Sequence, residues 1–282
     1  GGNNVMLGQS AGTGTTDVDG AVIIGSNAGI ANMTSAADGT VAVGKDALRS
    51  LTSGASNLAV GHGAGYSMTS GGGNVLLGWS AGYYLTDTNY NTFIGYLAGT
   101  DPDTTTTAAN DNTYIGAFAG RHMDDGVDNT AIGYDAMTSA GAGGNSGTYS
   151  VAVGHSALKA VTTGNQNVAI GVDALTALTT STANVALGYR SLKTATTAAE
   201  NVAIGRGCME DVKAAVAVTG CVAVGRNALL GNSSNTTGIN HTVAVGYSAL
   251  QSLTTGGQNV AIGYESGADI TTGASNTALG YE

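Results

Sequence analysis

Charge is scarce in this chain: Asp, Glu, Lys and Arg make up 10 % of its 282 residues, against roughly 25 % in an ordinary soluble domain. The nine Lys and Arg residues stand singly and the net charge is −10. No basic stripe exists to neutralise a run of phosphates, and nucleic acid is not an expected partner. No apolar run approaches the roughly 18 residues that a spanning helix needs, so membrane insertion is not expected either. Proline occurs once and aromatic residues amount to 5 %. There are two cysteines, Cys208 and Cys221, in adjacent repeats. Their spacing alone does not establish a disulfide, and both are expected to be reduced and buried, Cys208 in a place where other repeats carry alanine.

Glycine, by contrast, is plentiful at 46 residues, and it is periodic. Variants of Asn167-Val168-Ala169-Ile170-Gly171 recur along the whole chain, with the glycine at Gly8, Gly25, Gly44, Gly61, Gly78, Gly95, Gly116, Gly133, Gly154, Gly171, Gly188, Gly205, Gly225, Gly246, Gly263 and Gly280. Ten of the fifteen intervals are 17 residues and the rest are 19, 20 or 21. A chain of this length has room for two globular domains, but a short fixed period calls for one elongated array covering residues 1–282. Because it begins and ends inside a repeat, it is expected to be a piece of a longer fibre protein.

With the glycine numbered zero, position −1 is Ile, Leu or Val and position −3 is Val, Leu or Thr in all sixteen repeats. This alternation predicts one strand per repeat. Position −2 is Ala in eleven repeats. It predicts a nearly bare opposite face, expected to pack against sister chains, with the −3, −1 and +7 side chains inside the coil. Position −4 is Asn in eleven repeats, and stacked coils would let these amides hydrogen-bond as a ladder. Position +1 is often aromatic, as in Trp79, Tyr96 and Tyr264. Position +3 is small, and position +4 is Gly in seven repeats and Leu or Met in eight, a difference expected to change the coil's girth. The stretch from +3 to +8 suits a second strand or a single helical turn. The fold expected is mainly β: a parallel β-solenoid of about sixteen 17-residue coils in a homotrimeric fibre.

The longer repeats all take their extra residues between the turn and the next Asn position, at Asn32 to Gly39, Thr100 to Asp111, Ser139 to Tyr149, Val212 to Gly220 and Gly231 to His241. These stretches are expected to project from one edge, where they serve either recognition or nothing beyond tolerated drift.

Several local patterns look chemical. Gly78-Trp79-Ser80-Ala81-Gly82 and Gly8-Gln9-Ser10-Ala11-Gly12 match a nucleophile elbow, but the repeat itself generates both, and the same slot elsewhere holds Asp46, Asp135 or Arg190. Gly61, Gly63 and Gly65 lack the βαβ context of a phosphate cradle. The acids Asp17 and Asp19, Asp101 and Asp103, and Asp124, Asp125 and Asp128 do not have the spacing of a calcium loop. His62, His122, His155 and His241 share no ligand spacing. No catalytic, cofactor-binding or metal-binding residue is therefore expected, and the chain is not expected to be an enzyme.

The units Asn167 to Gly171 and Gln258-Asn259-Val260-Ala261-Ile262-Gly263-Tyr264, and the fuller Val243 to Gly256, resemble the repeats of bacteriophage tail-fibre shafts and of the heads of trimeric autotransporter adhesins. The resemblance spans the whole chain. It implies a homotrimeric fibre on a virion tail or a cell surface, which presents loops to a host surface glycan or protein. The 17-residue period and the lack of stalk-like heptads favour the tail fibre over the adhesin head. A Thr-rich ice- or surface-binding solenoid is a further alternative, suggested by Thr52, Thr69, Thr86, Thr162, Thr179, Thr254 and Thr271 recurring at +8.

Overall fold

Each occurrence of the repeat builds one three-residue strand. A computed structural model describes residues 2–100, 109–122, 125–139, 146–212, 217–232 and 237–282, in two units, residues 1–147 and 148–282. The first unit holds β1 (Val5–Leu7), β2 (Val22–Ile24), β3 (Val41–Val43), β4 (Leu58–Val60), β5 (Val75–Leu77), β6 (Thr92–Ile94), β7 (Thr113–Ile115) and β8 (Thr130–Ile132). The second holds β9 (Val151–Val153), β10 (Val168–Ile170), β11 (Val185–Leu187), β12 (Val202–Ile204), β13 (Val222–Val224), β14 (Val243–Val245), β15 (Val260–Ile262) and β16 (Thr277–Leu279). Within each unit every strand pairs in parallel with its sequence neighbours. Equivalent repeat positions lie opposite one another, as Ala169 opposite Ala186 and Ile170 opposite Leu187. The chain is a parallel β-solenoid, and the sixteen strands are those the valine and isoleucine alternation marks out.

The second half of each coil is neither a strand nor a helical turn. It is a run of tight turns in which the +2 residue is left-handed, as in Asp173 (φ 59) and Arg190 (φ 57), and so is the +4 residue, as in Leu175 (φ 51) and Leu192 (φ 52). The +3 residue between them is not left-handed. The +2 and +4 N–H groups donate to the coils before and after, while the +3 N–H donates within its own coil, as Ala174 to Gly171 O at 3.3 Å, so the stretch keeps its backbone bonds without being extended. Asp173 N–H donates to His155 O at 3.0 Å in the coil before, and Leu175 N–H donates to Ser191 O at 3.0 Å in the coil after. These contacts satisfy backbone groups that burial would otherwise leave unpaired.

The expected facing of the strand is reversed. The −2 residues point into the coil, with Ala152, Ala169, Ala186 and Ala203 at 0 % exposure. The −3 and −1 residues point outward, with Ile170 at 37 %, Leu187 at 41 % and Ile262 at 45 %. Position +7 is inside as expected, for example Leu51 and Leu178, together with the +3 alanines and the −4 asparagines. The reversal follows from the width of the coil. One strand faces the +3 to +4 turn across a gap that takes a single large side chain, so a Val or Ile pair from the strand does not fit there.

Size exchange between two positions shows how tight that gap is. All eight coils with Leu or Met at +4 carry Ala at −2. Coils with a large −2 residue carry Gly at +4: Met6 with Gly12, Ile23 with Gly29, Leu76 with Gly82, Phe93 with Gly99, and Tyr114 with Gly120. A Cβ on Gly99 would lie 2.2 Å from the Phe93 ring, and one on Gly120 would lie 2.1 Å from the Tyr114 ring. Two coils have both small residues, Ala59 with Gly65 and Ala261 with Gly267. There, Leu48 and Leu76 reach in beside Gly65, and Leu250 and Ile270 beside Gly267. In thirteen of the fifteen coils the +4 difference is thus matched by an opposite one at −2, so volume moves across the lumen and interior density is kept.

The first insertion, Asn32 to Gly39, folds around a 3₁₀ turn at Ser35–Ala37 and buries Met33 and Ala37 completely. The centres of the other four, 101–108, 140–145, 213–216 and 233–236, lie outside the described residues. The flanks of three of them, 101–108, 213–216 and 233–236, are anchored in the core by Ala109, by Val212 and Val218, and by Ile239.

Candidate functional site

The asparagine ladder is present and wholly spent on the fold. In the first unit Asn74 Nδ2 donates to Asn57 Oδ1 at 3.0 Å and Asn91 Nδ2 to Asn74 Oδ1 at 3.1 Å. In the second, Asn184 Nδ2 donates to Asn167 Oδ1 at 3.1 Å and Asn201 Nδ2 to Asn184 Oδ1 at 3.2 Å. The backbone N–H of the upper residue donates to the same oxygen, as in Asn184 to Asn167 at 3.0 Å. These buried amides bridge coils and present nothing to a ligand.

The cysteines occupy two of the repeat's interior slots. Cys208 takes the +3 alanine position and Cys221 the −4 asparagine position; both are free thiols and buried. Cys221 N–H donates to Asn201 Oδ1 at 2.9 Å and so continues the backbone half of the ladder. Burial pushes the Cys208 thiol up to about 12 and the Cys221 thiol up to about 11. A folded value above the ordinary thiol value of 9.0 means that the folded state holds the proton more tightly. That stability is complete below pH 9 and is lost as pH rises through 11 to 12, at roughly 1.4 kcal/mol per pH unit per thiol. A thiol-reactive chromophore is expected to label neither residue at neutral pH until urea unfolds the chain. Denaturant midpoints are expected to hold steady up to pH 9 and then to fall; rapid labelling of the native chain would contradict the buried assignment.

Ser10 and Ser80 sit at +2 with φ 58 and 53, the same left-handed turn that Asp46, Asp135 and Arg190 adopt. Backbone geometry, not nucleophilic chemistry, defines that slot. Gly61, Gly63 and Gly65 occupy positions 0, +2 and +4 of one coil, with φ of 140, 64 and 61. Asp19 N–H donates to Asp38 Oδ1 at 2.8 Å in the next coil. Asp101, Asp103 and Asp124 lie outside the described residues, and Asp128 sits in a left-handed turn position. Among the described residues no group of three or more His, Cys, Asp or Glu could hold a metal ion, and no helix is long and apolar enough to cross a membrane. The threonine row at +8 also serves the fold: Thr52 Oγ1 donates to Thr69 O at 3.0 Å, Thr162 Oγ1 to Thr179 O at 3.1 Å, and Thr254 Oγ1 to Thr271 O at 2.8 Å.

Two surface features remain. One is the outward strip of β-branched residues described above, on which no charged side chain occurs in any of the sixteen strands. The other is a double column of aromatic rings in the first unit. At +1, His62 stacks on Trp79 with centroids 5.7 Å apart, and Trp79 on Tyr96 at 5.1 Å. At +5, Tyr66 stacks on Tyr83 at 4.5 Å, with Tyr84 edge-on to Tyr83 at 4.7 Å. Arg49 lies over the Tyr66 ring and donates to its hydroxyl. Burial, with the phenols of Tyr66 and Tyr84 adding to it, raises Tyr83 above the ordinary phenol value. Between the columns is a cleft of about 370 Å³, lined also by Thr100 and Arg121.

Sequence reading noted the +1 aromatics but missed the second column. Its signal was a tyrosine pair, Tyr66 and Tyr83, spaced by one repeat and standing four residues after His62 and Trp79. Other stacks, such as Tyr247 on Tyr264 at 5.1 Å, have Gln251 and Ala268 in the +5 slot and form one column only.

The fold and these surfaces define a class of protein, the parallel β-solenoid with in-register coils. No family model matches the chain, and comparison with curated proteins and with solved structures returned no match.

Proposed function

We propose that the chain is a structural fibre protein for host or surface attachment, similar to a phage tail-fibre shaft, working as a parallel homotrimer outside the cell. The observation that carries this reading is the outward strip. A parallel cyclic trimer of identical rods repeats one heterologous contact at every coil and so needs an equivalent face on each, and positions −3 and −1 supply it as Val, Ile, Leu or Thr throughout. Eight strands at about 4.8 Å make a strip roughly 40 Å long and 10 Å wide in each unit. That is of the order of the largest apolar patch a monomer exposes, and such patches mark interaction sites. The Ala/Gly face first expected to meet sister chains lies inside the coil and cannot serve. The threefold order itself comes from the repeat's resemblance to tail-fibre shafts and adhesin heads. Three chains also multiply weak surface contacts. The spent threonine hydroxyls favour this reading over an ice-binding solenoid.

The mass in solution tests it. The chain is expected to run at three times 27.5 kDa. The pair Ile170→Lys and Leu187→Lys is expected to release monomers with an unchanged β spectrum, since both side chains point away from the core. A wild-type monomer at micromolar concentration would end the fibre reading. Adsorption of the trimer to candidate host cells tests the attachment half separately.

A further inference from the structure

We infer that the cleft between the two aromatic columns is a saccharide-binding site that takes one pyranose unit of a glycan, a step that rests on the attachment reading above. Four observations converge on it. First, the volume of about 370 Å³ falls within the range of small-ligand sites, and aromatic walls with a few polar groups are what such sites share. Second, the walls are half-exposed ring faces, Trp79 and Tyr96 each at 47 %, whose negative π faces attract partly positive C–H groups. A pyranose offers one C–H face and a rim of hydroxyls, which matches this combination of ring faces and polar ends.

Third, one polar group at the cleft lacks a partner. Arg121 lines it, its guanidinium lies 5.7 Å from the centroid of the Phe118 ring, and its Nε is buried without a hydrogen-bond partner among the described residues. A buried donor left unpaired is costly; Nε itself is closed to a water-sized atom, and the rest of the half-buried guanidinium, which lines the cleft, offers the donors for an acceptor oxygen of a bound ligand. Thr100 is not such a group, because its hydroxyl already donates to Ser80 O at 2.6 Å. Fourth, the doubling of the aromatic column is local: the +1 stacks of the second unit lack it, so solenoid packing does not require it.

Competing ligands fit less well. A nucleotide would bring phosphate charge to a chain of net charge −10 with one guanidinium at the cleft. An extended peptide would need free backbone groups along the wall. There Ser80 N–H is taken by His62 O at 2.8 Å and Leu97 N–H by Trp79 O at 3.0 Å. A sugar needs neither. Its acceptor for Arg121 is a ring or hydroxyl oxygen in a neutral hexose, or a carboxylate in a hexuronate.

The chain contains one tryptophan, and it lies in the cleft, so its fluorescence reports on this site alone. The experiment titrates the intact trimer with gluco-, galacto- and N-acetylglucosamine hexasaccharides, hexuronate oligosaccharides and adenosine monophosphate. A saturable change of Trp79 emission with at least one saccharide is expected. Tyr96→Ala should weaken it about tenfold, the loss of one stacked ring. Arg121→Gln should weaken it at least as much and, if the ligand is a hexuronate, abolish the preference over its neutral counterpart. Tyr264→Ala, in a single column of the second unit, should leave it unchanged, and thermal melts should confirm that every variant folds. No response to any saccharide overturns the proposal, as does a response that Tyr96→Ala and Arg121→Gln leave intact. A response to adenosine monophosphate alone overturns it in favour of a stacking platform for planar bases. A silent cleft on a trimer that still adsorbs to cells removes this site and leaves the attachment reading in place. A monomer that still binds the sugar removes the fibre reading and keeps the site.

Discussion

Gly171→Ala is expected to destabilise the solenoid by more than about 4 kcal/mol, through two separate effects that act together. Gly171 has φ 135, a backbone region that L side chains enter only with strain, at about 1 to 3 kcal/mol. Its added Cβ would also lie 2.5 Å from the carbonyl oxygen and 2.6 Å from the carbonyl carbon of Gly188 in the next coil. Neither atom is a flexible side-chain tip that can swing aside; relief requires the coils to separate. Because each coil contacts only its neighbours, separation at this rung should uncouple the solenoid into two less cooperative halves of the second unit. Hydrogen exchange should show it first at Gly188 N–H and Arg190 N–H, which donate to Ile170 O at 2.8 Å and Val172 O at 2.9 Å.

The matching control is Gly39→Asn. Gly39 has φ 69 and nothing within 4 Å of an added Cβ, and its −5 slot holds Ser56, Tyr90, Gln166 and Ala183 elsewhere at φ 56 to 60. A loss of under about 1 kcal/mol is expected there. If Gly171→Ala and Gly39→Asn cost the same, coil-to-coil contact at the zero position is not what keeps glycine in all sixteen repeats.

That contrast also marks what could be read from the sequence. The period, the strands and the asparagine ladder were legible because each depends on identical residues meeting at one register, and repetition states the register. The direction in which each strand faces was not. In ordinary sheets the β-branched face is the buried one, a rule that puts Val168 and Ile170 inside and Ala169 outside. In so narrow a coil the rule inverts, since bulk on the strand's inner face is admitted only when the opposite turn gives it up. The second half of the coil escaped reading because neither a period of 2 nor one of 3.6 describes residues that alternate in the sign of φ. Leu175, Leu192 and Leu250 hold φ near 50, a conformation leucine rarely takes, and its cost is offset by complete burial of the side chain. The aromatic cleft was legible only in part, because its walls come from one column with the repeat's usual +1 aromatics and one column peculiar to two neighbouring coils.

The size exchange across the lumen leads to the second large effect. Moving the leucine of one coil from the turn to the strand, by Ala169→Leu with Leu175→Gly, should give a chain far more stable than either single variant. Ala169→Leu alone puts a second large side chain into a gap that holds one, an overpacking that costs about 1 to 3 kcal/mol. Leu175→Gly alone removes a fully buried side chain and leaves a cavity, at about 2 to 5 kcal/mol. Part of that loss returns because glycine is at ease at φ 51. In the double variant the inserted leucine occupies the volume the turn has vacated, as Leu76 does opposite Gly82, where a Cβ would lie 3.0 Å from the Leu76 side chain. The coupling read from a double-mutant cycle in urea is expected to be on the order of 2 to 3 kcal/mol in the stabilising direction. Strictly additive losses would mean that the pairing of Phe93 with Gly99 and of Tyr114 with Gly120 is incidental. Strong coupling would make volume, not residue identity, the quantity each coil conserves.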